Sequence, residues 1–153
     1  MKKAIFIICV IIGLNSCNSG GDSSQPSKSE VELAQHILEL NKRFDDIFVN
    51  DYDRQKLTQI SDSIVISLEE MTSGYPESSE LPSLYFVAGE VSMKVFNGER
   101  AVKYFEKMVE LYPEDAQTDK AMYFIGYTYE NVIQDVKKAK EKYKALYREK
   151  PNS

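Results

Sequence analysis

The second half of the chain carries one pattern of side chains twice. Leu84-Tyr85-Phe86-Val87-Ala88 returns as Met122-Tyr123-Phe124-Ile125-Gly126. The same offset of 38 carries Ala101 to Ala139, Phe105 to Tyr143, Met108 to Leu146 and Pro113 to Pro151. A repeat of this length, anchored by small and aromatic residues and closed by proline, predicts stacked helical hairpins. A lone hairpin cannot bury its apolar stripe, so each must stack on its neighbours and present an extended surface to a partner. The expected fold is all-α: antiparallel hairpins in a short solenoid of about six helices.

Local signals place those helices. Ser29-Glu30-Val31-Glu32 has the form of a capping box, with Ser29 as cap and Glu32 three residues on. Leu33, Ile37, Leu40, Phe44 and Ile47 follow at helical spacing and predict a helix over about 30–48. Leu57, Ile60, Ile64, Leu68 and Met71 mark a second, which ends near Ser73-Gly74 before Tyr75-Pro76. Pro82 suits the first turn of a third helix, running to Phe96, with Asn97-Gly98 as the tight turn. A fourth runs from about Glu99 to Tyr112. A fifth starts near Asp115 or Ala116 and carries Met122, Ile125, Tyr129 and Val132 on one face. A sixth runs from Asp135 to Lys150. Its stripe of Val136, Ala139, Tyr143 and Leu146 is narrow and the remainder is lysine and acid, so it reads as a polar end cap of the array. No period-two run between turn signals predicts a strand. Pro76 lies 37 residues before Pro113, so residues 30–76 read as a further, degenerate hairpin ahead of two repeats in 77–153.

Laid on the chain, the anchors read Tyr85-x2-Ala88-Gly89-x2-Ser92, Ala101-x3-Phe105, Pro113, and then Tyr123-x2-Gly126-Tyr127-x2-Glu130, Ala139-x3-Tyr143, Pro151. This resembles the tetratricopeptide repeat, in divergent form and similar to repeats of bacterial envelope lipoproteins and Tol-Pal-associated periplasmic proteins. The chain has no Trp, the offset exceeds the family's usual 34, and Gly126 falls one step before the place that 38 gives Gly89. The resemblance implies that Gly89, Gly126, Ala101 and Ala139 allow close helix approach and that Phe105 and Tyr143 fill the groove between helices. It also implies a partner-binding face on the first helix of each hairpin. By register the candidates are Phe86, Glu90, Met93 and Lys94 in one repeat and Phe124, Thr128 and Asn131 in the next. Phe86 and Phe124, read as stacked equivalents, either anchor a peptide or pack against the first hairpin.

The amino terminus carries a separate signal. Met1-Lys2-Lys3 is a positive leader start, and Ala4 to Leu14 is apolar, a signal-peptide core too short to span a membrane. Leu14-Asn15-Ser16-Cys17 follows and resembles the lipobox of bacterial lipoproteins, with Leu at −3, a small residue at −1 and the cysteine at +1. The resemblance implies a signal peptide over 1–16, cleavage before Cys17 and a covalent lipid on its thiol. Asn18 to Ser29 has no apolar side chain, so 17–29 read as the lipidated cysteine and a flexible tether. Cys9 and Cys17 are the two cysteines, so the mature domain has no thiol for a disulfide or a metal. Asn18 is not the inner-membrane retention aspartate of the best-known sorting rule. The expected location is therefore the cell envelope, anchored in the outer membrane and facing the periplasm.

Charge and motifs narrow the function. The net charge of −5 argues against a general nucleic-acid binder. Residues 22–90 hold 14 acidic and 5 basic side chains, whereas 91–153 hold 10 and 12, with Lys137, Lys138, Lys140, Lys142, Lys144, Arg148 and Lys150 near the end. Such a run reads as a solvated helix face, with a docking surface for an acidic partner or anionic headgroups as the lesser reading. There is no phosphate loop, no His-Glu-x-x-His and no Gly-x-Ser-x-Gly. His36, the one histidine, has no nucleophile or carboxylate marked out beside it. Asp45, Asp46, Asp51 and Asp53 lack the spacing of a calcium loop and read as a solvated turn. No catalytic residue, metal or cofactor is expected beyond the lipid on Cys17. The reading is a membrane-anchored scaffold or adaptor for an envelope protein; the alternative is a lipoprotein that binds a small ligand or glycan in the helical groove.

Overall fold

A computed structural model describes residues 28–150, which form six α-helices and, among the described residues, no strand. They are α1 (Glu30–Asn50), α2 (Arg54–Gly74), α3 (Leu81–Lys94), α4 (Gly98–Leu111), α5 (Thr118–Thr128) and α6 (Val136–Glu149). The proposed leader, Cys17 and most of the tether lie outside the described residues.

The helix ends follow from short polar side chains. At α1 the capping box forms: Ser29 Oγ accepts the Glu32 N–H at 3.3 Å, and the Glu32 carboxylate accepts the Ser29 N–H at 2.8 Å. The second helix of every hairpin starts alike. Asp53, Asn97 and Asp135 accept the N–H three residues on, from Lys56, Arg100 and Lys138, at 3.1, 3.2 and 3.0 Å. Each satisfies a donor that the helix itself cannot. These helices also end alike: Tyr75, Tyr112 and Lys150 share φ near −135° and ψ near 60°, and each donates its N–H to the carbonyl four residues back. A proline follows each of the three. Between the same cap and the same stop, α2 has 21 residues where α4 and α6 have 14, so the first hairpin is two turns longer. α5 begins at Thr118, later than expected. The Asp115 carboxylate accepts the Gln117 N–H at 2.8 Å, and the Thr118 hydroxyl donates to the Tyr112 carbonyl at 2.6 Å, which holds 113–117 in a turn.

Each helix packs mainly on its neighbours in the chain, and side chains tie the hairpins into two layers. α1, α3 and α5 are linked by Lys94 to Asp45 and by Lys120 to Glu90. α2, α4 and α6 are linked by Arg100 to Asp62 and by Lys142 to Glu106. Between the layers runs one apolar core, with Leu33, Ile37, Phe44, Ile64, Leu68, Leu84, Ala88, Phe105 and Met108 fully or almost fully buried. Phe105 lies against Gly89 so closely that a Cβ there would sit 2.5 Å from the ring. Tyr143 lies the same way against Gly126, also at 2.5 Å.

Those two pairs expose how the repeat changes register. Gly89 to Gly126 is an offset of 37, whereas Phe105 to Tyr143 is 38. The loop hydrogen bonds agree: Asn97 N–H donates to the Ser92 carbonyl at 2.9 Å and Asp135 N–H to the Tyr129 carbonyl at 2.7 Å. The acceptors are 37 apart and the donors 38. One extra residue therefore lies between Tyr129 and Asp135, where the backbone forms a π-helical turn over Tyr129–Ile133. Such turns are how a helix takes in a single inserted residue. In the second and third hairpins the left-handed residue that ends the first helix is Phe96 (φ 63°) or Gln134 (φ 64°), not part of the Asn97-Gly98 pair that the sequence suggested. Gly98 instead sits in the first turn of α4, where a Cβ would be 2.5 Å from Ile133 Cγ1.

Candidate partner-binding face

The face in question belongs to the layer of α1, α3 and α5. Lys94 of α3 reaches Asp45 of α1 at 2.9 Å and lies over the rings of Phe44 and Phe48, 5.8 and 5.6 Å from their centroids. Lys120 of α5 does the same to α3: it is 4.0 Å from Glu90 and lies over Phe86 and Phe124, at 4.6 and 5.6 Å. Each lysine thus spans two helices with its stem on aromatic carbon and its charge near a carboxylate. Beneath Lys120, Phe86, Phe105 and Phe124 form a triangle with centroids 5.6 to 5.9 Å apart.

Of the seven residues marked from the sequence, Glu90, Met93 and Lys94 are half-buried on this face and Asn131 is exposed, its amide donating to the Tyr127 carbonyl at 3.1 Å. Phe124 is half-buried in the aromatic triangle. Two of the seven are not available to a partner. Phe86 is 3% exposed because it packs on Phe105 and Phe124 under Lys120. Thr128 is 0% exposed and its hydroxyl has no hydrogen-bond partner, since at an offset of 37 it takes the place of the buried Val91. The same offset makes Tyr123, not Phe124, the equivalent of Phe86. Tyr123 lies 5.9 Å from Tyr143 as Phe86 lies 5.6 Å from Phe105.

The residues that the sequence reading missed are the exposed ones. Tyr123 is 46% exposed, and Tyr127, one turn on, is exposed beside it at 6.2 Å. On α1, Val31, Leu38 and Val49 are exposed. Steps of 7, 7 and 4 through Asp45 put them on the side of α1 that meets Lys94. Counting from Gly126, rather than from the repeated Tyr-Phe pair, was the signal that would have found Tyr123 and Tyr127.

Other polar groups are held in structural roles. Asp53 caps α2, Asp46 accepts from the Asn50 amide at 2.9 Å, Asp45 pairs with Lys94 and Asp51 lies 3.9 Å from Lys56. No group of three or more His, Cys, Asp or Glu among the described residues is placed to hold a metal ion. Burial raises the Tyr104 phenol to about 12, aided by the nearby Glu69 carboxylate. Burial also raises Tyr143, whose hydroxyl donates to Glu130 at 2.9 Å. Both phenols are held neutral, which suits packing and not a nucleophile. Two open concavities, of about 640 and 630 Å³, lie outside α6 and beside the α3–α4 turn, and none of the seven residues lines either. No helix among the described residues is long and apolar enough to cross a membrane. No protein-family model and no curated protein matches the chain.

Proposed function

We propose that this chain is a membrane-anchored scaffold of a bacterial cell envelope, built on divergent tetratricopeptide-like hairpins, that holds a partner protein against the face of α1, α3 and α5. The supporting observation is the composition of that face. Exposed apolar and aromatic side chains stand at both ends, Val31, Leu38 and Val49 on α1 and Tyr123 and Tyr127 on α5. Two lysine–carboxylate pairs, Lys94–Asp45 and Lys120–Glu90, lie between them. Exposed apolar surface rimmed by charge suits a protein partner, and tyrosine is prominent among residues that dominate binding energy. The lipobox-like Leu14-Asn15-Ser16-Cys17 supports a lipid anchor at Cys17, and Asn18 supports an outer-membrane location facing the periplasm. The role is binding, with no catalytic step and no cofactor beyond that lipid.

A photo-crosslinking amino acid placed at Tyr127 in the full-length protein, in cells, tests this reading. The expected outcome is a discrete protein adduct that is lost on Tyr123→Ala and is not formed from Ile66, an exposed position on α2. Equal adducts from both positions, or none from Tyr127, refute it. A Cys17→Ala form that stays on the membrane refutes the anchor separately.

A further inference from the structure

The outer side of α6 is not the polar cap that its lysine content suggested. Val136 is 69% exposed and Tyr147 75% exposed, and with Tyr143 between them they make an apolar stripe one helix long. An open concavity of about 640 Å³ follows that stripe, with Lys140, Lys144 and Arg148 along it. Glu130 and Glu141 also line it, but Glu130 accepts the Tyr143 hydroxyl.

Register shows what such a surface is for. Subtracting 38 turns Val136, Tyr143, Lys144 and Tyr147 into Gly98, Phe105, Glu106 and Val109 of α4. Those α4 residues seat the next hairpin: Gly98 meets Val132 and Ile133, Phe105 stacks on Phe124, and Glu106 pairs with Lys142 at 2.6 Å. The outer side of α6 is therefore the same helix seat with nothing among the described residues placed on it.

Its charge, however, is reversed. Lys94 to Asp45, Arg100 to Asp62, Lys120 to Glu90 and Lys142 to Glu106 each run from a cation on the later hairpin to an acid on the earlier one. Where α4 offers Glu106 and Glu110, α6 offers Lys144 and Arg148, and no ion pair engages Lys140, Lys144 or Arg148 among the described residues. A further hairpin of the kind already stacked would meet like charge. We propose that this seat docks an amphipathic helix of another protein, one whose apolar stripe is flanked by glutamate or aspartate. Helix-in-groove binding of this kind takes affinity from the apolar anchors and orientation from the flanking charge.

The probes are two synthetic helical peptides of the length of α6, with leucines at i, i+4, i+7 and i+11 and flanks of glutamate in one and lysine in the other. Binding to the full chain is read by fluorescence anisotropy. The glutamate peptide is expected to bind and the lysine peptide not. Tyr147→Asp, or Tyr147→Ser as a milder change, is expected to weaken binding about tenfold or more. The triple change Lys140→Glu, Lys144→Glu, Arg148→Glu is expected to reverse the preference. Helical content by circular dichroism is expected to stay that of the parent for each variant, since all four side chains lie on the outer side of α6. Equal binding of the two peptides, binding of neither, or glutamate-peptide binding indifferent to Tyr147 overturns the proposal. So does binding of phosphatidylglycerol vesicles through these residues without binding of the glutamate peptide.

Discussion

The second and third hairpins are built to one plan but differ by one residue, and where that residue goes separates what is fixed from what is free. In α3/α4, Gly89 closes on Phe105 and the chain passes directly to Phe96 and the cap Asn97. In α5/α6, Gly126 closes on Tyr143 in the same way, but a π-helical turn intervenes before Gln134 and the cap Asp135. The buried contacts hold their places across the two hairpins, while the extra residue is taken up where side chains are only partly covered. Close packing tolerates no shift in a core position, so the insertion goes to the cheaper place. Its consequence is on the surface, where Tyr123 and Tyr127 stand in place of Phe86 and Glu90.

The sharpest way to break this comparison is to delete one residue from each first helix. Removing Asn131 is expected to convert the π turn to an α turn at a cost of about 1 kcal/mol. Removing Ser92, buried and bonded to Ala88 and Arg100, rotates the rest of α3 against the core and is expected to abolish cooperative unfolding. Thermal melts by circular dichroism distinguish the two. Next in size is Phe105→Ala, which empties a fully buried ring site and is expected to cost about 3–5 kcal/mol. Tyr143→Ala, at a half-buried position on the same plan, is expected to cost less; equal values in denaturant titrations contradict the graded burial.

Smaller still are Gly89→Ala and Gly126→Ala. Each puts a Cβ about 2.5 Å from an aromatic ring, with an expected loss of about 1–3 kcal/mol. Because Tyr143 has solvent to move into and Phe105 does not, Gly89→Ala is expected to lose more. The caps give the smallest effect, about 1 kcal/mol for Asn97→Ala, and Asp53→Ala is expected to act in the same direction. They differ in pH dependence. Backbone and side-chain hydrogen bonding to Lys56 lowers the Asp53 pKa below 3.8. Its stabilising contribution is therefore present above that value and lost as pH falls through the lowered one. Asn97 does not titrate, so Asp53→Asn is expected to flatten the acid limb of stability against pH, whereas Asn97→Ala shifts the whole curve.

Much of the fold was legible because its signals are local. Ser29 and Glu32 declare a helix start in four residues, and Tyr-Pro pairs declare two helix ends. Apolar residues at helical spacing identify α1 to α6 without any knowledge of what they touch. What was not legible depends on contacts distant in sequence. Phe96 takes the left-handed turn, while Gly98 serves a close contact with Ile133, which lies 35 residues on in the sequence. Phe86 and Thr128 were face candidates by register; Phe86 is buried because Phe105 of α4 and Phe124 of α5 pack on it, and Thr128 because at an offset of 37 it takes the place of the buried Val91. The repeated Tyr-Phe pair pulled the alignment to 38 throughout, and only Gly126, one step out of place, recorded that the packing register of α5 is 37.

Thiol labelling tests that claim most directly. In full-length protein with Cys9 and Cys17 changed to serine, single cysteines at positions 123, 124, 127 and 128 are labelled under native conditions. The expected order is rapid modification at 123 and 127, slower at 124 and protection at 128, with the protection lost in denaturant. Rapid modification at 124 and 128 with protection at 123 and 127 means that the offset stays at 38 through α5, and it contradicts both the π-turn register and the face drawn from it.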